Sequence, residues 1–357
     1  MRILVTIGAG LLLTTTALAQ VNEEVVDGKK LDKEKMELHD YLPAIHGTIR
    51  AKYEYQTATD ESRFQVRNAR FSLTGNVLPI VAYKAEIDLS DQGKIRMLDA
   101  YTRIFPIKHV NFTIGQMRVP FTIDAHRSPH VRFFANRSFI GKQVGDVRDV
   151  GATLAYTRKD ASLPFILEGG LFNGSGLTEQ KEWHKTLNYS LKGQLWFAKG
   201  WNLTLSTQMM KPAEVRVNMY DAGIYYETDK FHIEAEYLYK TYGHDAFKNM
   251  HSVNSFAIYD IPLRRFFHKM SFLARYDMMT DHSDGITTSE TEPNKLAITD
   301  YARHRVTGGL TFSFSKSSRN FFIADIRLNY EKYFYKSGGI PDPSEQDKLV
   351  VEFMTRF

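Results

Sequence analysis

From Ile45 onward the chain is written in twos. Ile45, Gly47, Ile49, Ala51, Tyr53 and Tyr55 alternate with His46, Thr48, Arg50, Lys52, Glu54 and Gln56. Successive side chains of a strand point to opposite faces, so this alternation builds a strand with one dry and one wet face. The pattern returns at 62–75, 80–89, 95–105, 109–118, 148–158, 163–172 and 186–197. A second group follows at 201–210, 217–227, 230–241, 252–259, 267–278, 302–314, 321–335 and 348–357, which makes 16 strands. Between Phe64 and Leu73 the phase slips by one residue, and either a bulge near Asn68 or a strand protruding past the sheet accounts for it.

The connections narrow the architecture further. Those after even-numbered strands are mostly tight (76–79, 106–108, 198–200, 228–229), whereas those after odd-numbered strands include 119–147, 173–185, 279–301 and 336–347. Short turns on one rim and long loops on the other mark a transmembrane barrel with an even strand count. A sandwich offers no reason for such a rule. The expected fold is therefore all-β: a 16-stranded antiparallel transmembrane β-barrel over 45–357, with short periplasmic turns and longer external loops. Strand lengths near ten suit a tilted crossing of the bilayer. A mean hydropathy of -0.35 does not argue against a membrane, because lipid-facing and lumen-facing residues average out.

Both ends fit that location. Met1-Arg2, the apolar run Ile3–Leu13 and Ala17-Leu18-Ala19 form a secretory signal peptide over 1–19. Residues 20–44 carry Glu23, Glu24, Asp27, Lys29, Lys30 and further charges with no usable apolar face, and read as a solvated periplasmic leader. The chain has no cysteine and ends in Phe357 on an alternating strand, which resembles the C-terminal signal of bacterial outer-membrane barrels. Aromatic residues, 13% of the chain, end the dry faces at Tyr53, Tyr55, Tyr237, Tyr239, Phe312, Phe314 and Trp201, as interfacial girdles would.

With 16 strands the lumen holds water rather than a packed core. By parity Arg50, Lys52, Arg70, Lys84, Arg103 and Arg275 face it, and so do Glu54, Glu86, Asp88, Asp99, Asp277 and Glu331. The wall is nearly balanced, so selectivity has to come from a narrower place. The third external connection, 119–147, is about 29 residues long, too long for a hairpin. Arg118, Arg127, Arg132, Arg137 and Lys142 outnumber its acidic residues, and His126 and His130 add charge below about pH 6.5. Phe121, Phe133, Phe134 and Phe139 supply apolar contact with the inner wall. Rings of Arg and Lys at a constriction attract anions, and the guanidinium fork matches phosphate oxygens.

Several blocks carry a resemblance. Gly115-Gln116-Met117-Arg118-Val119-Pro120-Phe121, Arg67-Asn68-Ala69-Arg70-Phe71-Ser72-Leu73-Thr74-Gly75, Leu98-Asp99-Ala100-Tyr101, Arg148-Asp149-Val150-Gly151, Asn173-Gly174-Ser175-Gly176 and Ala274-Arg275-Tyr276-Asp277 stand in the order seen in the phosphate-selective porin family (porins O and P). The chain resembles that family over about 45–357. The resemblance implies an outer-membrane porin, a homotrimer in contact with lipid and lipopolysaccharide. It would pass small anions such as phosphate or polyphosphate through a lumen narrowed by the third loop with help from the fifth. Two departures stand out. The fifth connection is only Lys211–Arg216, and the family's paired arginines appear here as Arg67-Asn68.

Three alternatives share the architecture: a nonspecific diffusion porin, a plugged barrel engaging an external partner, and an outer-membrane hydrolase. The last needs a Ser or Asp nucleophile beside a His, and neither His46 nor His232 has such a neighbour in sequence. No His spacing suggests a metal. No enzyme activity, cofactor, metal or nucleic-acid partner is expected.

Overall fold

The computed structural model describes residues 41–91, 94–143, 148–174, 176–177, 180–213, 215–286, 295–315, 322–335 and 345–357. The signal peptide expected at 1–19 and most of the leader expected at 20–44 lie outside them. The strands are β1 (Ala44–Gln56), β2 (Glu61–Leu78), β3 (Val81–Asp91), β4 (Lys94–Ile107), β5 (Val110–Arg118), β6 (Arg148–Arg158), β7 (Phe165–Phe172) and β8 (Asn188–Ala198). They continue as β9 (Trp201–Met210), β10 (Val217–Glu227), β11 (Phe231–Tyr242), β12 (Met250–Pro262), β13 (Lys269–Met279), β14 (Arg303–Ser313), β15 (Ile323–Tyr335) and β16 (Lys348–Arg356).

Each strand pairs antiparallel with its neighbours in sequence, and β1 pairs with β16 to close the barrel, Thr48 opposite Arg356 and Gln56 opposite Lys348. The 16 strands agree with the alternation, most ends within two residues. Closure removes every sheet edge, which lipid does not tolerate because it offers no hydrogen-bond partners. The clasp is made at the C-terminus. Phe357 N–H donates to the Gly47 carbonyl at 3.0 Å and Gly47 N–H to the Phe357 carbonyl at 2.6 Å.

The phase slip in β2 is a bulge. Arg50 pairs with Asn68 and Ala51 with Val66, leaving Arg67 as the extra residue. The bulge lets Phe64 and Val66 face outward while Asn68 turns inward and is buried. A second bulge in β4 leaves Leu98 unpaired between Met97 and Asp99.

The two faces separate as alternation requires. Outward lie Leu154, Leu191, Leu205 and Phe353, each more than half exposed to the surroundings; inward lie buried Arg50, Asp277, Arg305, Glu331 and Glu352. Outward aromatics collect near both rims. Phe197, Trp201 and Tyr226 meet beside the Lys199–Gly200 turn, with Trp201 and Tyr226 ring centres 4.9 Å apart, and Phe266, Phe267, Phe312 and Phe314 cluster near the same rim. At the opposite rim Tyr237 is hydrogen-bonded to His251 at 2.8 Å and Tyr276 to His304 at 2.7 Å. Among the described residues no helix is long and apolar enough to cross a membrane. The strands do the crossing.

Candidate functional site

β5 ends at Arg118, two residues before Pro120, whose missing N–H cannot continue a ladder. The chain then turns inward at Thr122, which has a positive φ of 50°. From there it runs along the inner wall, and the wall's side chains hold its backbone. Ser190 donates to the Pro120 carbonyl (2.6 Å) and Lys192 to the Thr122 carbonyl (2.5 Å); Thr122 N–H donates to Ser206 (3.0 Å). Glu236 accepts the N–H groups of both Ile123 and Asp124. Farther on, Arg50, Arg275 and Arg305 donate to the carbonyls of Ala135 (2.6 Å), Asn136 (3.0 Å) and Arg137 (2.6 Å). Asp277 accepts the N–H of Phe139 (3.1 Å), which opens the short helix α1 (Phe139–Gln143). A segment without its own ladder must place its peptide groups somewhere. Here most of them go to charged side chains, whose hydrogen bonds are worth about 1.5–3 kcal/mol each.

Apolar contacts complete the fastening. Val119, Phe121, Ala125 and Ile140 pack against Met219, Leu238, Tyr242 and Leu296. Phe134, with Phe133 at its side, packs on Phe256, Ile258 and Leu273, and Phe139 on Met250, Met279 and Tyr333.

The wall cations singled out from the sequence face inward and are matched by neighbours. Arg50 pairs with Glu352 (2.5 Å), Lys52 with Glu54 (2.6 Å), Arg70 with Asp88 (3.0 Å), and Lys84 with Asp99 (2.7 Å). Arg275 lies 3.9 Å from both Asp277 and Glu331, and Arg103 donates to Thr113 at 2.8 Å. The balance read from parity is thus a network of ion pairs within and between strands.

The connection's own cations divide into two kinds. Arg127 makes a two-point pair with Glu234, Nη1 lying 2.7 Å from Oε1. Burial alone would lower its pKa, but Glu234 raises it above the ordinary guanidinium value. Lys142 pairs with Glu345. Arg118 donates to the carbonyls of Ala125, His126 and Arg127 at 3.2–3.4 Å. Arg132 and Arg137 donate to backbone oxygens among the described residues, those of Arg127 and Gly141, both at 3.3 Å, and the Asp124 carboxylate acts on both. Burial and then Arg137 and Arg50 push the pKa of Arg132 well down; burial and then Arg118 push that of Arg137 down. A guanidinium stays protonated at neutral pH, so both side chains keep their charge beside the Asp124 carboxylate.

Sequence reasoning missed how the connection is fixed. Glu234 and Glu236 read as wall charges, and Phe256 of β12 was given no role, because both faces of that strand are largely apolar and parity alone does not sort them. It also missed what the Gly-Gln pair does. Gly115 has φ 130° and stands opposite Gly151, and a Cβ on Gly115 would lie 2.3 Å from the Ala100 carbonyl oxygen. Next to it Gln116 donates to the carbonyls of Met97 (2.7 Å) and bulged Leu98 (2.8 Å). The pair seats β5 against the β4 bulge just before the chain leaves the wall.

Comparison with known proteins follows the same lines. Residues 45–192 match the family described as phosphate-selective porin O and P. No curated protein matches the chain. Among solved structures it is similar to Salmonella typhi OmpF in complex with daunomycin, at 11% identity and TM-score 0.61, covering 90% of this chain and 99% of that one. It is also similar to the outer membrane channel DcaP of Acinetobacter baumannii, at 12% identity and TM-score 0.57, covering 90% and 99%. The trimer form of OmpT, an outer membrane protein of Vibrio cholerae, aligns at 12% identity and TM-score 0.55, covering 88% and 98%. At such identities the likeness is one of fold.

Proposed function

We propose that this barrel, whose residues 45–192 match the phosphate-selective porin O and P family, passes small anions in preference to cations. Family and fold support the broader reading, an outer-membrane channel for passive diffusion. The finer reading is that the 119–147 connection narrows the lumen and that Arg132 and Arg137, with Arg118 behind them, set the preference. One observation carries it. Arg132 and Arg137 donate only to backbone oxygens among the described residues, while Arg127 and Lys142 are matched by Glu234 and Glu345. Phosphate suits the guanidinium fork, and inorganic phosphate is the first solute to test.

The test is electrical. Reconstituted in a planar bilayer under a KCl gradient, the channel should show a reversal potential toward the chloride equilibrium value, and millimolar phosphate should reduce the chloride current. A reversal potential on the potassium side overturns the anion reading. The dense fastening of the connection favours a second reading, a plugged barrel serving an external partner; it predicts no conductance.

The remaining assignments complete the proposal. Residues 1–19 act as the signal peptide and 20–44 as a periplasmic leader. The barrel assembles as a homotrimer, which the trimer form of Vibrio cholerae OmpT supports. The aromatic rims sit in lipid and lipopolysaccharide, and the chain carries out no chemical step.

A further inference from the structure

The rim of short turns divides into two sectors. Between β4 and β7 its cations are matched: Lys108 and Arg158 pair with Asp160 at 3.4 and 3.0 Å. Between β8 and β13 they are not. The turns at 198–200, 228–230 and 263–268 expose Lys199, Lys230, Arg264 and Arg265, and Asp229 is their one carboxylate. None of these four cations has an ion-pair partner among the described residues. Lys269, just past the last turn, is taken by Asp260 at 2.7 Å. The same sector carries an outward aromatic cluster. Phe266 is 74% exposed, its ring centre 5.0 Å from that of Phe267 and 5.3 Å from that of Phe314. The turn itself is fixed: Leu263 N–H donates to the His268 carbonyl (2.8 Å) and His268 N–H to the Ser313 carbonyl (2.9 Å). Arg264 and Arg265 thus stand at a set height, next to a phenyl ring that the protein leaves largely uncovered.

We propose that this arc of turns, centred on Arg264, Arg265 and Phe266, binds anionic phospholipid headgroups of the leaflet that meets the short-turn rim, the periplasmic side in such barrels. An exposed aromatic ring at a barrel rim leaves water by entering the lipid interface, which sets its neighbours at the level of the headgroups. A guanidinium there offers its fork to two phosphate oxygens while its stem lies along apolar surface. A zwitterionic headgroup brings an ammonium with each phosphate, which the unmatched arginines repel; a headgroup of net negative charge brings none. A soluble anion has no acyl chains to cover Phe266 and meets the arginines only in open water, where a charge pair is weak. The matched sector between β4 and β7 has no such surplus of charge to offer.

The inference rests on the membrane-barrel reading and not on the anion preference, and its test separates the two. Of the three tryptophans, Trp196 is buried; Trp183→Phe and Trp201→Phe remove the exposed indoles, and Phe266→Trp puts a reporter on the turn. The reporter barrel is reconstituted in mixed vesicles in which either phosphatidylglycerol or phosphatidylcholine carries brominated chains, and quenching gives the relative affinity of the two lipids at the turn. Phosphatidylglycerol should be favoured about fivefold, the strength of one basic side chain at an anionic surface. Arg264→Gln with Arg265→Gln should bring the ratio toward one. Neither arginine bonds to the protein, so this change leaves the barrel folded, as heat-dependent gel mobility will show. Equal affinity before the substitution overturns the proposal, and so does an unchanged ratio after it. Loss of the preference on adding millimolar inorganic phosphate overturns it as well, because the arc would then serve soluble anions. If neither brominated lipid quenches the reporter, the rim does not lie in a bilayer and the membrane-barrel reading itself has failed.

Discussion

Arg127 of the 119–147 connection and Glu234 of β11 meet in a two-point ion pair across 107 residues of sequence, with Nη1 2.7 Å from Oε1. Glu234 is fully buried. The pair fastens the first third of the connection to the wall and removes Arg127 from the charge presented to a solute.

Glu234→Gln should therefore loosen the connection without unfolding the barrel. Removing one partner of a buried pair costs about 3–5 kcal/mol, and here that cost falls on the fastening rather than on the closed strand ladder. Single-channel recordings should show raised current noise and a larger mean conductance, while heat-dependent gel mobility stays that of the wild type. A quiet trace with unchanged conductance would show that the pair holds nothing in place.

Acid should act through Asp124. Burial would raise its pKa, but Arg127 and the Ser138 hydrogen bonds win and hold it below the ordinary aspartate value. With a depressed folded pKa, its contribution is fully present above the unfolded value of about 3.9 and is lost as pH falls through the lower folded value. Conductance noise should stay flat from pH 8 to pH 5 and rise below about pH 4. Asp124→Asn should show the acid behaviour at neutral pH. A rise already present near pH 6 would point to a different group.

Gly115→Ala should impair the barrel itself. Its positive φ of 130° and the 2.3 Å approach to the Ala100 carbonyl leave no space for a methyl. Strain of this kind costs roughly 1–3 kcal/mol. The fraction of folded, heat-shifting protein should drop and its unfolding temperature should fall. Wild-type stability would mean that β4 and β5 separate more easily here than their contacts suggest.

What the sequence discloses and what it hides divide along a physical line. Alternation is local, and β6, β9 and β10 can be bounded from their residues alone. Even the slip in β2 announces a bulge, though only the pairing of Asn68 with Arg50 and of Val66 with Ala51 identifies Arg67 as the extra residue. Partners are not local. Arg50 and Glu352 are 302 residues apart and meet only because the barrel closes. Arg127 and Arg132 look alike in sequence, five residues apart on the same connection. One is matched by Glu234 and the other rests on a backbone carbonyl, a difference set by which stretch of wall each one passes. Phe256 stays hidden for another reason: an apolar residue on the wet face of a strand is indistinguishable from a lipid-facing one until the faces are assigned.

The central claim is that selectivity resides in the crowded guanidiniums and not in the matched ones. It is tested most directly by comparing two double variants, Arg132→Gln with Arg137→Gln and Arg127→Gln with Glu234→Gln, by reversal potential in one KCl gradient. The first pair should move the reversal potential from the chloride side toward zero, and the second should leave it on the chloride side. A shift in the second pair equal to that in the first, or no shift in either, would contradict the account.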